Sequence, residues 1–255
     1  MQEEKNAPKL DSTLSKGLTI LEALTDAKSA KGVTELAKEL GLTKSNTFRL
    51  LQTLRALGYV KHTANRNYAA TLKTWQVGRN VIEHMNLREI ANEEMHQLSD
   101  ATGETIYLAV PEGLSVVYIN KIDSVKPVRS WNQIGGTAPI HCVGTGKAIL
   151  AANYTKLRDS IKTRLDRYTD NTLTTIDALD DNVKQTQQNG YAIDNGEYRD
   201  RVISFGAAVT LPDREAVAAL GISVPDINLP ADGRERMGRL VRDAARSVSK
   251  RLRNL

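Results

Sequence analysis

The chain has one cysteine, Cys142, in 255 residues, so it can form no internal disulfide framework and offers no cysteine cluster for structural zinc. The compartment expected from this is the cytosol. No apolar run approaches the roughly 20 residues needed to cross a bilayer, and the opening MQEEKNAPKL has no apolar core like that of a signal peptide. The most informative absence is that of one charge sign. From Thr43 to Lys73, 31 residues contain no Asp or Glu but carry Lys44, Arg49, Arg55, Lys61, Arg66 and Lys73. A solvated face normally mixes both signs, so an acid-free basic stretch suits a polyanion.

The charge is equally uneven at larger scale. Of the 35 basic and 30 acidic residues, 12 and 7 lie within 1–75, which leaves 23 of each in the other 180 and places the whole net +5 in the first third. Such asymmetry points to an acidic macromolecular partner for that part alone, and the length favours two domains. The expected division is a mobile arm over 1–13, a basic domain over 14–75, a linker helix over 76–98 and a larger domain over 99–255.

Within the basic domain, Leu14, Leu18, Leu21, Ala23 and Leu24 fall near helical spacing, with Ser12 or Ser15 as cap. Val33, Leu36, Ala37 and Leu40 form a short amphipathic helix that stops at Gly41, where glycine takes a left-handed C-cap cheaply. Thr43 then caps a third helix with a core stripe of Leu50, Leu51, Leu54 and Leu57, ending at Gly58. Two helices joined by a glycine turn make a helix-turn-helix. The face opposite the leucines carries Ser45, Phe48, Arg49, Gln52 and Ala56, whose N-terminal members are the positions a recognition helix presents to base edges. Arg49 can pair with guanine, Gln52 with adenine, and Phe48 or the Thr47 methyl can touch thymine. Lys44 and Ser45, at the positive helix end, suit phosphate. Strands over 59–63 and 67–71 form a wing with Arg66 at its tip and Lys61 and His62 along the approach.

The remainder predicts a linker helix with Leu87, Ile90, Ala91, Met95 and Leu98 on one face, bent near Asn86 and packed on a partner. Strands are expected over 106–110, 115–122, 128–134, 204–211 and 216–224. Helices are expected from Thr145, over 176–189 before Gly190, and from Asp232 with Met237, Leu240, Val241, Ala244, Ala245, Val248 and Leu252 buried. The simplest assembly is helices on a mainly antiparallel sheet. At 141–147, Gly144, Thr145 and Gly146 open a helix whose free amides favour a carboxylate. A P-loop is excluded, because Gly146-Lys147 precedes Ala148 and the first glycine position is His141. His141 and Cys142 have no base tied to them by spacing, and Asp194 with Glu197 reads as solvated carboxylates at a strand edge. No catalytic residue, metal site or cofactor is assigned.

Three segments together resemble the IclR family of bacterial transcriptional regulators: ELAKELGLTKSNTFRLLQTL from Glu35, APIHCVGTGKAILA from Ala138, and GYAIDNGEYRD from Gly190. The resemblance covers residues 14–250. It implies an α+β fold with an N-terminal winged helix-turn-helix, a linker helix and a C-terminal GAF-like α/β effector-binding domain. It also implies operator DNA as partner, a small organic acid as effector, and a homodimer or homotetramer. DNA contacts are expected from Lys44, Ser45, Asn46, Arg49, Gln52, Lys61 and Arg66. Gly144, Thr145, Asp194, Val202, Ser204 and Ser223 match effector-lining positions, and Trp131 offers an aromatic wall. Ser204 stands where relatives often have cysteine and Gly221 where they often have serine, so a relative's effector does not transfer. An enzyme or metabolite-binding protein whose first domain serves assembly is the alternative. The basic C-terminal helix, with Arg234, Arg236, Arg239, Arg242 and Arg246, reads better as an amphipathic cover over the sheet than as a nucleic-acid surface.

Overall fold

The computed structural model describes residues 11–27, 29–63, 65–83, 87–129, 132–212 and 215–253, with the side chains of 78–83 excepted. They fall into two compact units, Met1–His84 and Met85–Leu255.

The first unit contains α1 (Ser12–Thr25), α2 (Val33–Glu39), α3 (Lys44–Ala56), a hairpin of β1 (Val60–His62) and β2 (Tyr68–Ala70), and α4 (Leu72–Glu83). Asp11, not Ser12 or Ser15, caps α1, its carboxylate accepting from the amides of Thr13 and Leu14. Two ionised-acceptor bonds at a positive helix end outcompete a serine hydroxyl. Ile20, Leu21 and Leu24 of α1 meet Leu36, Leu50, Leu51, Val60 and Tyr68 in one core. Leu14 and Leu18 of the expected stripe are exposed, and so is Leu57, at 54%. Leu57 sits at the C-cap of α3, where the chain turns out of the helix. Its carbonyl instead receives the Lys73 ammonium at 2.6 Å, an arrangement suited to the negative helix end.

The second unit begins with α5 (Leu87–Thr102) and is built on a six-stranded antiparallel sheet of order β5-β4-β3-β8-β7-β6. The strands are β3 (Thr105–Glu112), β4 (Ser115–Ile122), β5 (Thr137–Pro139), β6 (Ala192–Asn195), β7 (Val202–Thr210) and β8 (Ala216–Pro225). The expected strand over 128–134 is absent; the described part of that stretch is irregular, and the pairing with β4 falls at 137–139. One sheet face is covered by α5 and α9 (Gly233–Leu252), the other by α6 (Gly144–Ala152), α7 (Tyr154–Ile161) and α8 (Ile176–Asn189). Strand alternation sends Ile203, Phe205, Ala207 and Val209 of β7, with Leu220, Ile222 and Val224 of β8, to the α5/α9 side. Each such fully buried side chain contributes about 1.5–3 kcal/mol.

The apolar face of α5 packs on this sheet and on α9 of its own chain, not on a partner, and the bend expected near Asn86 lies outside the described residues. The stripe of α9 is buried or half-buried as its spacing predicts, with its arginines outward. Between sheet and outer helices, α6 is enclosed, with Gly144 to Ala151 all buried. A helix apolar all round belongs in such an interior, but it carries one lysine into it.

Candidate functional site

In the helix-turn-helix, Gly41 at φ +64° makes the turn between α2 and α3. The Thr43 hydroxyl accepts from the amide of Asn46 to cap α3. Lys44, Ser45, Phe48 and Arg49 are exposed on its outer face, while Asn46 and Gln52 are half-buried. Thr47 is fully buried with its hydroxyl on the Thr43 carbonyl at 3.0 Å, so its methyl is not a reading group. The Gln52 Nε2 donates to the Tyr68 hydroxyl at 3.0 Å, tying α3 to β2. That bond takes one of the two amide protons and holds the side chain towards β2. The Asn46 side-chain Oδ1 accepts from Arg49 at 3.5 Å, a long and therefore weak contact. In the hairpin, Lys61, His62 and Arg66 are exposed, and Arg66 takes the left-handed conformation at φ +58° that the Asn-rich turn suggested for an asparagine. Lys73 is a capping group, stacked 4.9 Å from the Tyr59 ring, rather than a reader.

The second unit holds a small cavity beside the start of α6, open to solvent on one side. Its floor is set by register. Thr105 pairs with Ser223, Ser223 with Ser204, and Ser204 with Asp194, so one polar row crosses β3, β8, β7 and β6. The next row on that face is Tyr107, Gly221, Gly206 and Ala192. The glycines there seat α6: a Cβ on Gly206 would lie 2.0 Å from the Gly144 carbonyl oxygen, and one on Gly221 would lie 2.5 Å from the Thr145 methyl. The start of α6 therefore bears directly on the sheet, with Thr145 beside the polar row.

A chain of hydrogen bonds joins helix and floor. The Gly144 amide donates to Ser204 Oγ at 2.9 Å, and Ser204 Oγ donates to Asp194 Oδ2 at 2.7 Å. The Glu197 amide donates to Asp194 Oδ1 at 2.6 Å. The first helix amide is thus occupied by the protein itself, and the Thr145 amide precedes the first helical bond, from Lys147 to Val143. Thr145 is 4% exposed and lines the cavity; its hydroxyl lies close enough to that of Tyr118 to interact with it, but outside good hydrogen-bond geometry, and it has no other described partner. Buried hydroxyls are normally satisfied, so this one is available to a guest.

Asp194 and Glu197 are not solvated; both are buried. Desolvation pushes the Asp194 carboxyl up to about 7, against the lowering effect of its two hydrogen bonds. Burial also raises Glu197, and the Lys147 ammonium, which donates to its Oε1 and to the Ile193 carbonyl, opposes that rise. The lysine of α6 is therefore a structural ion-pair member. Burial raises the Cys142 thiol and lowers His141, whose Nε2 meets the Asp166 carbonyl, so neither is poised as a nucleophile or an acid.

Of the residues expected to line an effector site, Thr145, Asp194, Val202, Ser204 and Ser223 do line the cavity. Gly144 lies behind Ser204, and Trp131 falls outside the described residues. Sequence reasoning missed Tyr107, Tyr118, Tyr198 and Arg199 in the lining. Tyr107 and Tyr118 face each other at 4.7 Å, and Arg199 lies 5.6 Å from the ring of Tyr198. Strand alternation carried the signal for both tyrosines of the facing pair, since Tyr107 shares a row with Gly221.

Two family profiles match the chain: the IclR helix-turn-helix domain over residues 13–64, and the C-terminal region of bacterial transcriptional regulator IclR over 79–250. The chain belongs to the IclR family of bacterial transcriptional regulators. It is 32% identical over 244 residues to the HTH-type transcriptional regulator KdgR of Escherichia coli K12, covering 93% of this chain and 91% of that one. It is 30% identical over 254 residues to the HTH-type transcriptional repressor AllR of Salmonella typhimurium LT2, covering 97% and 92%. The IclR structure from Thermotoga maritima matches with a TM-score of 0.78 at 25% identity, over 94% of this chain and 98% of that one. An IclR homologue from Microbacterium hydrocarbonoxydans, complexed with 4-hydroxybenzoate, shares the fold with a TM-score of 0.83 at 19% identity, over 96% and 100%. This IclR-family member is thus a DNA-binding transcriptional regulator, as its named relatives are, rather than an enzyme. No helix among its described residues is long and apolar enough to cross a membrane.

Proposed function

We propose that this regulator works in the cytoplasm as a homodimer or homotetramer that represses catabolic genes from a pseudo-palindromic operator until a small organic acid enters the cavity at the start of α6. The observation that carries the reading is the buried, unpartnered Thr145 hydroxyl at a helix start above a polar row, in a chain whose other unit has an acid-free basic reading face. The acid's carboxylate would take the Thr145 hydroxyl and amide, and Val202, Ser204 and Ser223 would hold its remaining atoms. Repression is the named role of two relatives, AllR and the acetate operon repressor of Salmonella typhimurium. A carboxylate effector has a parallel in the 4-hydroxybenzoate complex of the fold relative.

On DNA, Arg49 would read guanine, Ser45 and Asn46 would fix the start of α3, and Lys44, Lys61 and Arg66 would hold phosphates or the minor groove. Gln52 would serve chiefly to position α3 through Tyr68. The residues between the units would carry the response, and about 1–3 kcal/mol of coupling is enough for a useful switch. Thermal-shift screening of keto, sugar and aromatic acids should find ligands that stabilise the protein, by about 2.7 kcal/mol at one hundred times Kd. Footprinting at the promoter nearest its own gene should then show protection that the same acids relieve. Unchanged protection with every acid that binds, or an undiminished response in Thr145→Val, would defeat the proposal.

A further inference from the structure

The carboxylate on the cavity floor stands where an incoming acid would be expected to meet cations. Asp194 is 3% exposed, and both its oxygens take their described hydrogen bonds from neutral donors, the Ser204 hydroxyl and the Glu197 amide. Ser204 also accepts the Gly144 amide, so Asp194 is one hydroxyl away from the start of α6. The charged and titratable groups around it come from every side. Lys147 and Cys142 face it from α6 and its lead-in, Tyr118 from β4, and Glu197, Tyr198 and Arg199 from the turn after β6. Lys147 donates to Glu197 and to the Ile193 carbonyl, Arg199 is exposed, and burial keeps Tyr118 and Cys142 neutral.

We infer that an acid bound at the start of α6 shares one proton with Asp194, so that the cavity selects a monocarboxylate held as an acid–anion pair and, above neutral pH, binding draws one proton from solvent. The inference rests on the acid-sensing reading. Two carboxylates this close in a desolvated site cannot both stay ionised, and the pair, not either member, sets the titration. No covalent bond changes; the proton taken from water ends between an Asp194 oxygen and a ligand oxygen. Burial already holds the free Asp194 carboxyl up at about 7, and a second negative charge raises it further. Apparent affinity is then flat at mildly acidic pH and falls about tenfold per pH unit above neutrality. A dicarboxylate brings a second charge for which the floor has no proton.

The test is calorimetric titration of the full chain with pyruvate, gluconate and 4-hydroxybenzoate at pH 6 and 8.5, each in phosphate and in Tris. For the acids that bind, the wild type should bind at least about tenfold more weakly at pH 8.5 than at pH 6. Proton uptake, read from the buffer dependence of the heat, should be near one at pH 8.5 and near zero at pH 6. Asp194→Asn, neutral and of the same shape, should bind at pH 8.5 about as tightly as the wild type does at pH 6, with no uptake. Equal wild-type affinity at both pH values without uptake overturns the inference and leaves acid sensing standing. So does weaker binding by Asp194→Asn at pH 6, which would show that the carboxylate serves as an acceptor for a ligand hydroxyl. No binding of any of the three acids at either pH defeats acid sensing itself and this inference with it. The wild-type proton count is decisive even if the variant fails to fold.

Discussion

Replacing Asp194 by Asn should stabilise the second unit at pH 8 and flatten its stability against pH. Burial raises the Asp194 carboxyl from 3.8 to about 7 in the folded protein. A carboxyl raised on folding holds its proton more tightly in the folded than in the unfolded state. Its favourable contribution is therefore complete below about 3.8, is lost as pH rises towards 7, and is gone above that. Three pH units at about 1.4 kcal/mol each set the ionisation penalty at pH 8 at about 4 kcal/mol. Asn removes the charge but replaces one of two acceptor oxygens with a donor, so either the Ser204 hydroxyl must turn or the Glu197 amide loses its partner. That offsets about 1–3 kcal/mol. The net gain at pH 8 is about 1–3 kcal/mol, or roughly 2–12 °C in Tm for a unit of this size. Differential scanning calorimetry of both full-length proteins from pH 4 to 8.5 reads this directly, because titrations elsewhere cancel in the difference. The difference should favour the variant increasingly between pH 4 and 7 and level off above. A variant less stable than the wild type at pH 8, or a difference independent of pH, refutes the argument that desolvation dominates at this site.

Lys147→Met leaves the buried Glu197 carboxylate without its cation and should cost about 3–5 kcal/mol in denaturant unfolding, whereas Lys147→Met with Glu197→Leu should recover most of that. Gly206→Ala forces a Cβ against the Gly144 carbonyl and should cost more than about 3 kcal/mol, because backbone and not a side-chain end stands in the way. Arg49→Ala should lower discrimination at one operator base pair by about 1–3 kcal/mol in competition binding, while Arg66→Ala should weaken specific and random DNA alike and reduce the salt slope by about one.

The helix-turn-helix and α8 were legible because their signals are local. A hydrophobic period, Thr43 as a cap, and Gly41 and Gly190 as stops all lie within one or two turns of the helices they define. The eight-residue α7 was not foreseen; it offers Tyr154, Leu157 and Ile161 at helical spacing, but over barely two turns. The strand placed at 128–134 failed for the opposite reason: Val128 and Ile134 are apolar but exposed, and alternation cannot distinguish a strand from a loop that carries a few apolar side chains.

The site itself was half-legible, and the missing half is a matter of register. Gly144 and Thr145 announce an anion-suited helix start from sequence alone, but nothing local says that Asp194 will lie opposite Ser204, or that Ser204 will lie opposite Ser223. That row inverted the reading of Asp194, from a solvated edge carboxylate to one held near neutrality under a helix start. One signal for the burial was available. A helix of eight buried residues with one lysine has to find an anion inside the fold, since an unpaired buried ammonium costs several kcal/mol. Acids lie within a few residues of the strand that follows α8, and Glu197 is the one that reaches Lys147. Once Glu197 is drawn in, the turn that carries it brings its amide onto Asp194 and encloses that carboxyl too. The ion pair thus fixes the turn bearing Tyr198 and Arg199 against α6, so the acid proposed to bind there would meet a cavity wall already ordered and would lose less binding free energy to ordering it.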